Sequence, residues 1–92
     1  MSAADERRAW SLALGADPLL TPTARFVLVY LGHVAEYGRA VSSVPAIAKA
    51  LGLSSFAIEG GVRELIAKGV IARRGLGTRG RREYRILGKG EA

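Results

Sequence analysis

The apolar positions of this chain follow helical spacing in its first three quarters and alternating spacing in its last quarter. Apolar residues recur every three or four positions in four segments, which is typical of amphipathic helices. A short extended stretch separates the second segment from the third, and after Gly69 the period changes to that of strands. The pattern predicts helices over 3–14, from 21 to about 37, 43–51 and 55–68, a short strand over 39–41, and a hairpin of strands 70–74 and 82–87.

Residues at the predicted helix ends support this division. Thr21 and Ser43 are good N-caps, because a hydroxyl oxygen can accept a bond from a free amide of the first turn. Gly52 suits the end of the third helix, since glycine adopts a positive φ at little cost. Ser54 or Ser55 can cap the fourth helix directly afterwards. The interval 48–55 therefore predicts two short helices joined by a glycine turn, which is a helix-turn-helix unit.

The second helix carries two apolar stripes and so needs two packing partners. Its main stripe faces the domain core and comprises Ala24, Val27, Leu28, Leu31 and Ala35. Its second stripe comprises Phe26, Tyr30 and Tyr37, which can meet either Trp10 of the first helix or a second subunit. For Trp10, Tyr30 and Tyr37 we favour a place in the core over one in an interface. Leu51, Val62 and Leu65 are expected to be buried where the turn meets the fourth helix.

The length of 92 residues suits one small domain. We divide the chain into an N-terminal helical extension over 1–20, a main domain over 21–87 and a disordered tail over 88–92. The chain has no cysteine and one histidine, His33, which we expect at or near the surface. The acidic residues are scattered, without the pairing that acid–base catalysis or metal binding needs. We therefore expect no enzyme activity, no metal and no cofactor.

Nothing in the sequence predicts a membrane protein. The longest apolar run covers 26–31, whereas a membrane-spanning helix takes about 20 residues. The first residues carry Asp5 and Glu6 and lack the basic start of a signal peptide. We expect a cytoplasmic protein without membrane contact.

The charge of the chain gives the clearest indication of a partner. The net charge is +6, and arginine supplies eleven of the 14 basic residues. Six of these arginines lie between Arg73 and Arg85, where Glu83 is the one acid. A clustered charge creates a local field that attracts phosphate, and the flanking apolar residues make a merely solvated tail the less favoured reading. The cluster therefore indicates a nucleic-acid partner.

Three stretches carry a resemblance to a known family, and together with their surroundings they span roughly three quarters of the chain. They are Thr21-Pro22-Thr23-Ala24-Arg25, residues 43–54 (SVPAIAKALGLS) and residues 62–71 (VRELIAKGVI). They resemble the winged helix-turn-helix family, in particular its branch in plasmid and phage replication proteins and small bacterial regulators. The resemblance implies an α+β fold that is mainly α, with a three-helix core and a C-terminal β-hairpin wing, here preceded by an extra helix.

The resemblance also implies that the helix over 55–68 is the recognition helix and the hairpin over 70–87 the wing. The DNA-contacting residues expected on this basis are Ser43, Ser54, Ser55, Phe56, Glu59, Gly60, Arg63, Arg73, Arg74, Thr78, Arg79, Arg81 and Arg82.

Three residues of the recognition helix allow two interpretations. Glu59 can accept a bond from a cytosine amino group, but a solvent-facing or arginine-paired carboxylate is favoured. Phe56 can touch a thymine methyl group, yet packing on the preceding helix is slightly favoured. The pair Gly60-Gly61 indicates either a close approach to DNA or to a neighbouring helix, or a weak, bent helix, with equal weight.

These observations predict sequence-specific binding of double-stranded DNA by a small transcriptional repressor that blocks polymerase by occupying its operator. A replication-origin or architectural DNA-binding protein is the first alternative, and a winged-helix protein-interaction module is the second, against which the arginine-rich hairpin argues. We also expect a homodimer, because one recognition helix reads few base pairs. Its interface is expected at Trp10, Leu14, Phe26, Tyr30 and Tyr37. The sequence makes no prediction about a small-molecule effector.

Overall fold

The structure is a computed structural model that describes residues 3–15, 20–77 and 80–87. Helices dominate these residues, and a small antiparallel sheet completes them, so the expected α+β class with mainly α content is confirmed. The elements are α1 (Ala3–Gly15), α2 (Pro22–Val34), β1 (Arg39–Ser42), α3 (Val44–Leu51), α4 (Ser55–Ala67), β2 (Ile71–Gly75) and β3 (Arg82–Ile86). None of the helices in these ranges combines the length and the apolar character needed to cross a membrane. The tail over 88–92 lies outside the described residues.

The sheet has the strand order β1-β3-β2, and both pairings are antiparallel. Tyr84 of β3 sits at the centre, with Ala40 of β1 on one side and Arg73 of β2 on the other. Ile71 stands opposite Ile86 at the end of the hairpin nearest the helices. Because side chains alternate along a strand, these residues share the inner face of the sheet, and most of them are buried against the helices.

The core lies between α2, α4 and the inner face of the sheet. Its largest fully buried side chains are Tyr84, Leu28, Leu31, Ile47, Ile58, Leu65, Ile71, Val27 and Val62. The main apolar stripe expected on α2 is buried in full. Val62 and Leu65 are buried as expected, whereas Leu51 is only partly buried at the edge of this cluster.

The capping residues expected from the sequence cap α2, α3 and α4. Thr21 Oγ1 accepts from Ala24 N at 3.4 Å, and Ser43 Oγ accepts from Ala46 N at 3.2 Å. Of the two candidates before α4 it is Ser54 that serves, since its Oγ accepts from Ala57 N at 3.1 Å. Each bond satisfies an amide that has no partner within its own helix.

The expectation that the second helix runs to about residue 37 is wrong. The helix ends at Val34, and the chain then makes a tight turn into β1. Glu36 N donates to Arg39 O at 2.8 Å, and Arg39 N donates to Glu36 O at 3.0 Å. Between them Tyr37 and Gly38 both have positive φ, 55° and 77°. This turn cannot belong to a helix, and it removes Tyr37 from the apolar stripe.

Helix α1 approaches α2 closely at a glycine. A Cβ atom added at Gly32 would overlap the Cβ atom of Ala9, so the two backbones can pack only because residue 32 has no side chain. A second contact fixes the start of α1: Gly38 N donates to Asp5 Oδ2 at 3.0 Å, and Asp5 is buried. Helix α1 therefore packs firmly on α2 and on the turn before β1.

The favoured core places of two aromatic residues are wrong. Trp10 remains 49% exposed and Tyr37 96% exposed. Trp10 lies at the edge of the contact between α1 and α2, because small alanines occupy the side of α1 that meets α2, while Tyr37 lies in the tight turn. Tyr30 is partly buried and packs on the core cluster. His33 is at the surface, as expected.

Candidate nucleic-acid interface

Helices α3 and α4 are joined by a three-residue turn, and the outward face of α4 is the candidate surface. Gly52 begins the turn with φ 69°, the left-handed conformation expected of it. Ser54 then caps α4 and fixes where the helix begins. The inner side of α4 buries Ile58, Gly61, Val62 and Leu65. The residues predicted for the outward side, Ser55, Phe56, Glu59, Gly60 and Arg63, are exposed or partly exposed, as expected.

Phe56 is the most unusual residue of this face. The favoured interpretation, that it packs on the preceding helix, is wrong, because its side chain is 91% exposed. It stands in the first turn of α4, next to the exposed Ser55. An aromatic ring in such a position gives no core stabilisation and offers a flat apolar surface to a partner.

The two glycines of α4 have different roles. A Cβ atom at Gly61 would lie 3.3 Å from Thr23 Cγ2 and 3.4 Å from the backbone of Ala24, so Gly61 lets α4 approach α2. A Cβ atom at Gly60 would meet nothing within 4 Å, which leaves open backbone on the outward face. The helix is continuous across both glycines. Close approach to a neighbouring helix therefore accounts for Gly61.

Glu59 joins α4 to the hairpin. Its Oε1 accepts from Arg73 Nη1 at 2.9 Å and its Oε2 from Arg73 Nη2 at 3.1 Å, a two-bond pairing that fits a planar guanidinium. Oε2 also accepts from Arg63 Nε at 2.9 Å. The bonds from Arg73 and then Arg63 lower the pKa of Glu59 from 4.5 to about 2, against the opposing effect of burial. The arginine-paired interpretation of Glu59 is confirmed.

This arrangement makes stability depend on pH. The folded state binds the carboxylate form of Glu59, so its contribution is complete above the unfolded pKa of 4.5 and is lost as the pH falls towards 2. We expect Glu59→Gln to lower the free energy of unfolding near neutral pH by about 1 kcal/mol. It should also make the loss of stability between those pH values shallower. Urea unfolding at several pH values measures both effects, and plots of stability against pH that coincide for the two proteins would contradict both.

A second carboxylate ties α4 to the start of α2. Glu64 accepts from Thr21 N at 2.8 Å and from Thr21 Oγ1 at 2.7 Å, and the backbone bond is the main reason that its pKa is lowered. This contact was not predicted from the sequence. The residues lie 43 positions apart in the sequence. The one sequence signal was the position of Glu64 beside the buried stripe of α4, which indicates that it faces a neighbouring helix.

The hairpin holds its arginines in different ways. Arg73 is bound to Glu59, and Arg74 Nη2 lies 3.3 Å from Glu83 Oε1. Arg81 is exposed, and Arg82 Nη1 donates to the carbonyl of Arg81 at 3.1 Å. The predicted contacts Thr78 and Arg79 lie outside the described residues. Arg81 and Arg85, towards opposite ends of the hairpin, are exposed, and neither forms an ion pair among the described residues.

The structure brings some of the predicted site residues together and keeps others apart. Arg63 and Arg73 meet at Glu59, and Phe56 and Gly60 lie on the same helix face. The hydroxyls of Ser43 and Ser54 act as N-caps, so both are already bonded to backbone amides of their own helices. Among the described residues no group of three or more His, Asp or Glu side chains is placed to hold a metal ion.

A separate apolar groove runs along α1 and α2. It has a volume of about 420 Å³ and includes Trp10, Leu14, Phe26 and Tyr30, four of the five residues expected at a dimer interface. Tyr37, the fifth, does not line it. His33 Nδ1 lies 2.6 Å from Glu6 Oε2 at the groove. The large exposed apolar residues of α1 and α2 are therefore concentrated in one place.

No protein-family model and no curated protein sequence matches this chain.

Proposed function

We propose that this chain is a winged helix-turn-helix protein that binds double-stranded DNA and acts without catalysis. The recognition helix is α4, and the wing is the hairpin of β2 and β3. The order α2, β1, α3, α4, β2, β3 supports this assignment, because it supplies three helices, a turn and a hairpin in the sequence that the fold requires. The observation that carries the proposal is the Glu59–Arg73 pairing, which keeps the outward face of α4 beside the arginine-rich hairpin.

The chemistry of the two elements suits different parts of a duplex. An α-helix fits the major groove, where Phe56 can contact a thymine methyl group and Arg63 a guanine or a phosphate. Ser55 lies near the N-terminus of α4, where backbone amides favour a phosphate. Arg81 and Arg82 lie at the end of the wing and can reach the flanking backbone.

The role we propose is transcriptional repression by occupancy of an operator. Recognition of a plasmid or phage replication origin would use the same surface. The positions of the bound sites in the genome distinguish this role from repression. A protein-interaction module predicts a different result, namely no affinity for duplex DNA. The net charge of +6 and the exposed Arg81 support the DNA-binding proposal.

Selection of binding sites from random duplexes tests the proposal, followed by titration of the selected site. We expect Phe56→Ala to weaken binding of that site about tenfold, the cost of losing one base contact, with no change in the melting temperature. Tyr37→Ala is the matched control, because Tyr37 is an equally exposed aromatic residue outside α4. Failure to enrich any sequence, or equal affinities for both variants and the parent, would refute the assignment.

The proposed dimer uses the groove between α1 and α2. Trp10, Leu14 and Phe26 expose apolar area that a two-fold symmetric contact would cover, and such a dimer would read two half-sites about 10 base pairs apart or a multiple of that.

We expect light scattering to give the mass of a dimer for the parent and for Tyr37→Ala, and the mass of a monomer for Trp10→Ala. A monomeric parent that protects a single, unrepeated site would exclude the dimer. A dimer that persists in Trp10→Ala would show that the interface lies outside the groove.

A further inference from the structure

The groove between α1 and α2 is apolar along its length and carries charged groups at its two ends. Its apolar walls are formed by Trp10, Leu14, Phe26, Val29 and Tyr30. Arg25 lines the groove near the start of α2, and His33 and Glu6 line it near the end of α2. Arg25 and His33 are eight residues apart on this helix, which is about 12 Å along its axis. The groove therefore has the length and polarity that suit an elongated apolar molecule with one charged end.

Arg25 is a cation without an internal partner. Its Nε atom is shielded from solvent and forms no hydrogen bond with the described part of the chain, and its guanidinium belongs to none of the ion pairs found there. The residue as a whole is partly exposed and borders the groove. A shielded donor that has no acceptor is unfavourable, so an acceptor placed in the groove beside Arg25 is stabilised.

The acid that lines the groove is engaged at the opposite end. Glu6 Oε2 lies 2.6 Å from His33 Nδ1, and this contact holds the carboxylate away from Arg25. The positive charge of the guanidinium is therefore not neutralised by a residue of the groove. An anion that enters at this end meets a free cation and no competing carboxylate of the groove.

We propose that the groove binds a small apolar monocarboxylate, such as a medium-chain fatty acid. Arg25 binds the carboxylate, and the apolar body lies along Trp10, Phe26 and Tyr30. The volume of about 420 Å³ falls within the range of small-molecule sites, roughly 300–1,000 Å³. A planar guanidinium binds a carboxylate through two parallel bonds. One cation between apolar walls matches one negative charge, whereas a phosphate would bring more charge and more unpaired oxygens into an apolar site.

The regulatory consequence of this site rests on the proposed function, because it requires the proposed dimer. Trp10, Leu14 and Phe26 are the residues that the dimer would cover, and the bound carboxylate occupies the same area. The ligand therefore binds the monomer and opposes the dimer. A ligand shifts an equilibrium between two states by the difference in its affinity for them. The carboxylate is thus an effector that releases the protein from DNA that carries two half-sites.

The one tryptophan of the chain reports binding directly, because Trp10 lines the groove. Octanoate is the probe, and 1-octanol, which has the same chain length, is its uncharged counterpart. We expect a saturable change in tryptophan fluorescence, with a Kd for octanoate below about 1 mM and a Kd for 1-octanol at least about tenfold higher. An apolar surface without a cation gives the opposite preference, because the alcohol leaves water more readily than the carboxylate does.

Variants of Arg25 separate the charge from the apolar walls. Arg25→Gln should weaken octanoate binding at least about tenfold and leave the Kd for 1-octanol within about twofold, which also shows that the groove is intact. Arg25→Lys keeps the charge and loses the two-bond geometry, so its loss of affinity should be intermediate. Arg7→Gln removes a positive charge from an exposed position of α1 outside the groove and should behave like the parent.

Light scattering tests the regulatory step. At an octanoate concentration ten times its Kd, the dissociation constant of the dimer should rise about 100-fold, because both subunits have to lose their ligand before they associate. Binding of the selected DNA site should weaken in parallel. The same concentration of 1-octanol should have a much smaller effect on both.

Each other outcome has a definite meaning. No saturable octanoate binding, or equal octanoate affinities of the parent and Arg25→Gln, overturns the inference. If Arg25→Gln loses both probes, Arg25→Lys decides: a retained preference for octanoate over 1-octanol supports the site, and no preference overturns it. A dimer that persists with octanoate bound overturns the effector role. A parent that is monomeric yet binds octanoate overturns the proposed dimer and leaves the carboxylate site standing.

Discussion

Leu65→Ala is expected to lower the free energy of unfolding by about 2–5 kcal/mol, the usual cost of truncating a buried leucine. Leu65 is fully buried on the inner side of α4, in the cluster that α2 and the sheet complete. A domain of this size has a total stability of about 5–10 kcal/mol, so the substitution removes a large share of it and lowers the melting temperature markedly. Thermal and urea unfolding measure the change.

The neighbouring residue supplies a matched control. Ile66 follows Leu65 on the same helix and has a similar volume, but it is 37% exposed. Ile66→Ala removes the same number of side-chain carbon atoms, but from a partly exposed position, where less buried contact is lost. We expect it to cost well under half as much as Leu65→Ala. Equal losses for the two variants would mean that the inner and outer sides of α4 are assigned wrongly.

Arg81→Gln/Arg82→Gln should weaken binding to every duplex by a similar factor, about 10- to 100-fold at moderate salt. The reason is that phosphate contacts release counterions without reading sequence, and each lost contact lowers the slope of log K against log salt by about 0.9. Titrations of the selected site and of an unrelated duplex at several salt concentrations measure both quantities.

A control variant distinguishes the effect of a lower net charge from the effect of losing charge at the end of the hairpin. Arg7→Gln/Lys68→Gln makes the same change in net charge at exposed sites on α1 and after α4, and it should alter the slope much less. If the hairpin variant keeps both its affinity and its slope, the end of the hairpin takes no part in DNA binding. A loss confined to the selected site would instead assign base contacts to these arginines.

Local signals in the sequence were sufficient for most element ends. A hydroxyl residue followed by an apolar repeat places an N-cap without knowledge of the rest of the fold, which is why Thr21 and Ser43 were found and the cap of α4 was narrowed to Ser54 or Ser55. Gly52 was found because a glycine directly after the last apolar position of a helix indicates its C-terminus. The end of α2 was not, because Tyr37 is a non-glycine residue in the left-handed region, held there by the Glu36–Arg39 pairing. The periodic pattern of apolar residues does not predict such a turn.

The contacts that build the candidate site depend on tertiary structure and were harder to predict. Arginine pairing of Glu59 was expected, but its partner Arg73 lies 14 positions away and becomes a neighbour only when β2 packs beside α4. The close contact of Gly32 with Ala9 was not foreseen, since a glycine in a helix carries no apolar signal. The same contact explains why Trp10 is displaced outwards and fails to join the core.

The two bonds that Arg73 donates to Glu59 have a consequence for the thermodynamics of association. They join β2 to α4, so the relative position of α4 and the hairpin is set before any partner arrives. A partner that touches both elements does not have to order them, and the entropic cost of that ordering is met during folding. Preorganisation of this kind lengthens the lifetime of a complex more than it speeds encounter. By the same reasoning, Glu59→Gln should shorten residence times even though Glu59 itself presents a negative charge to the surface.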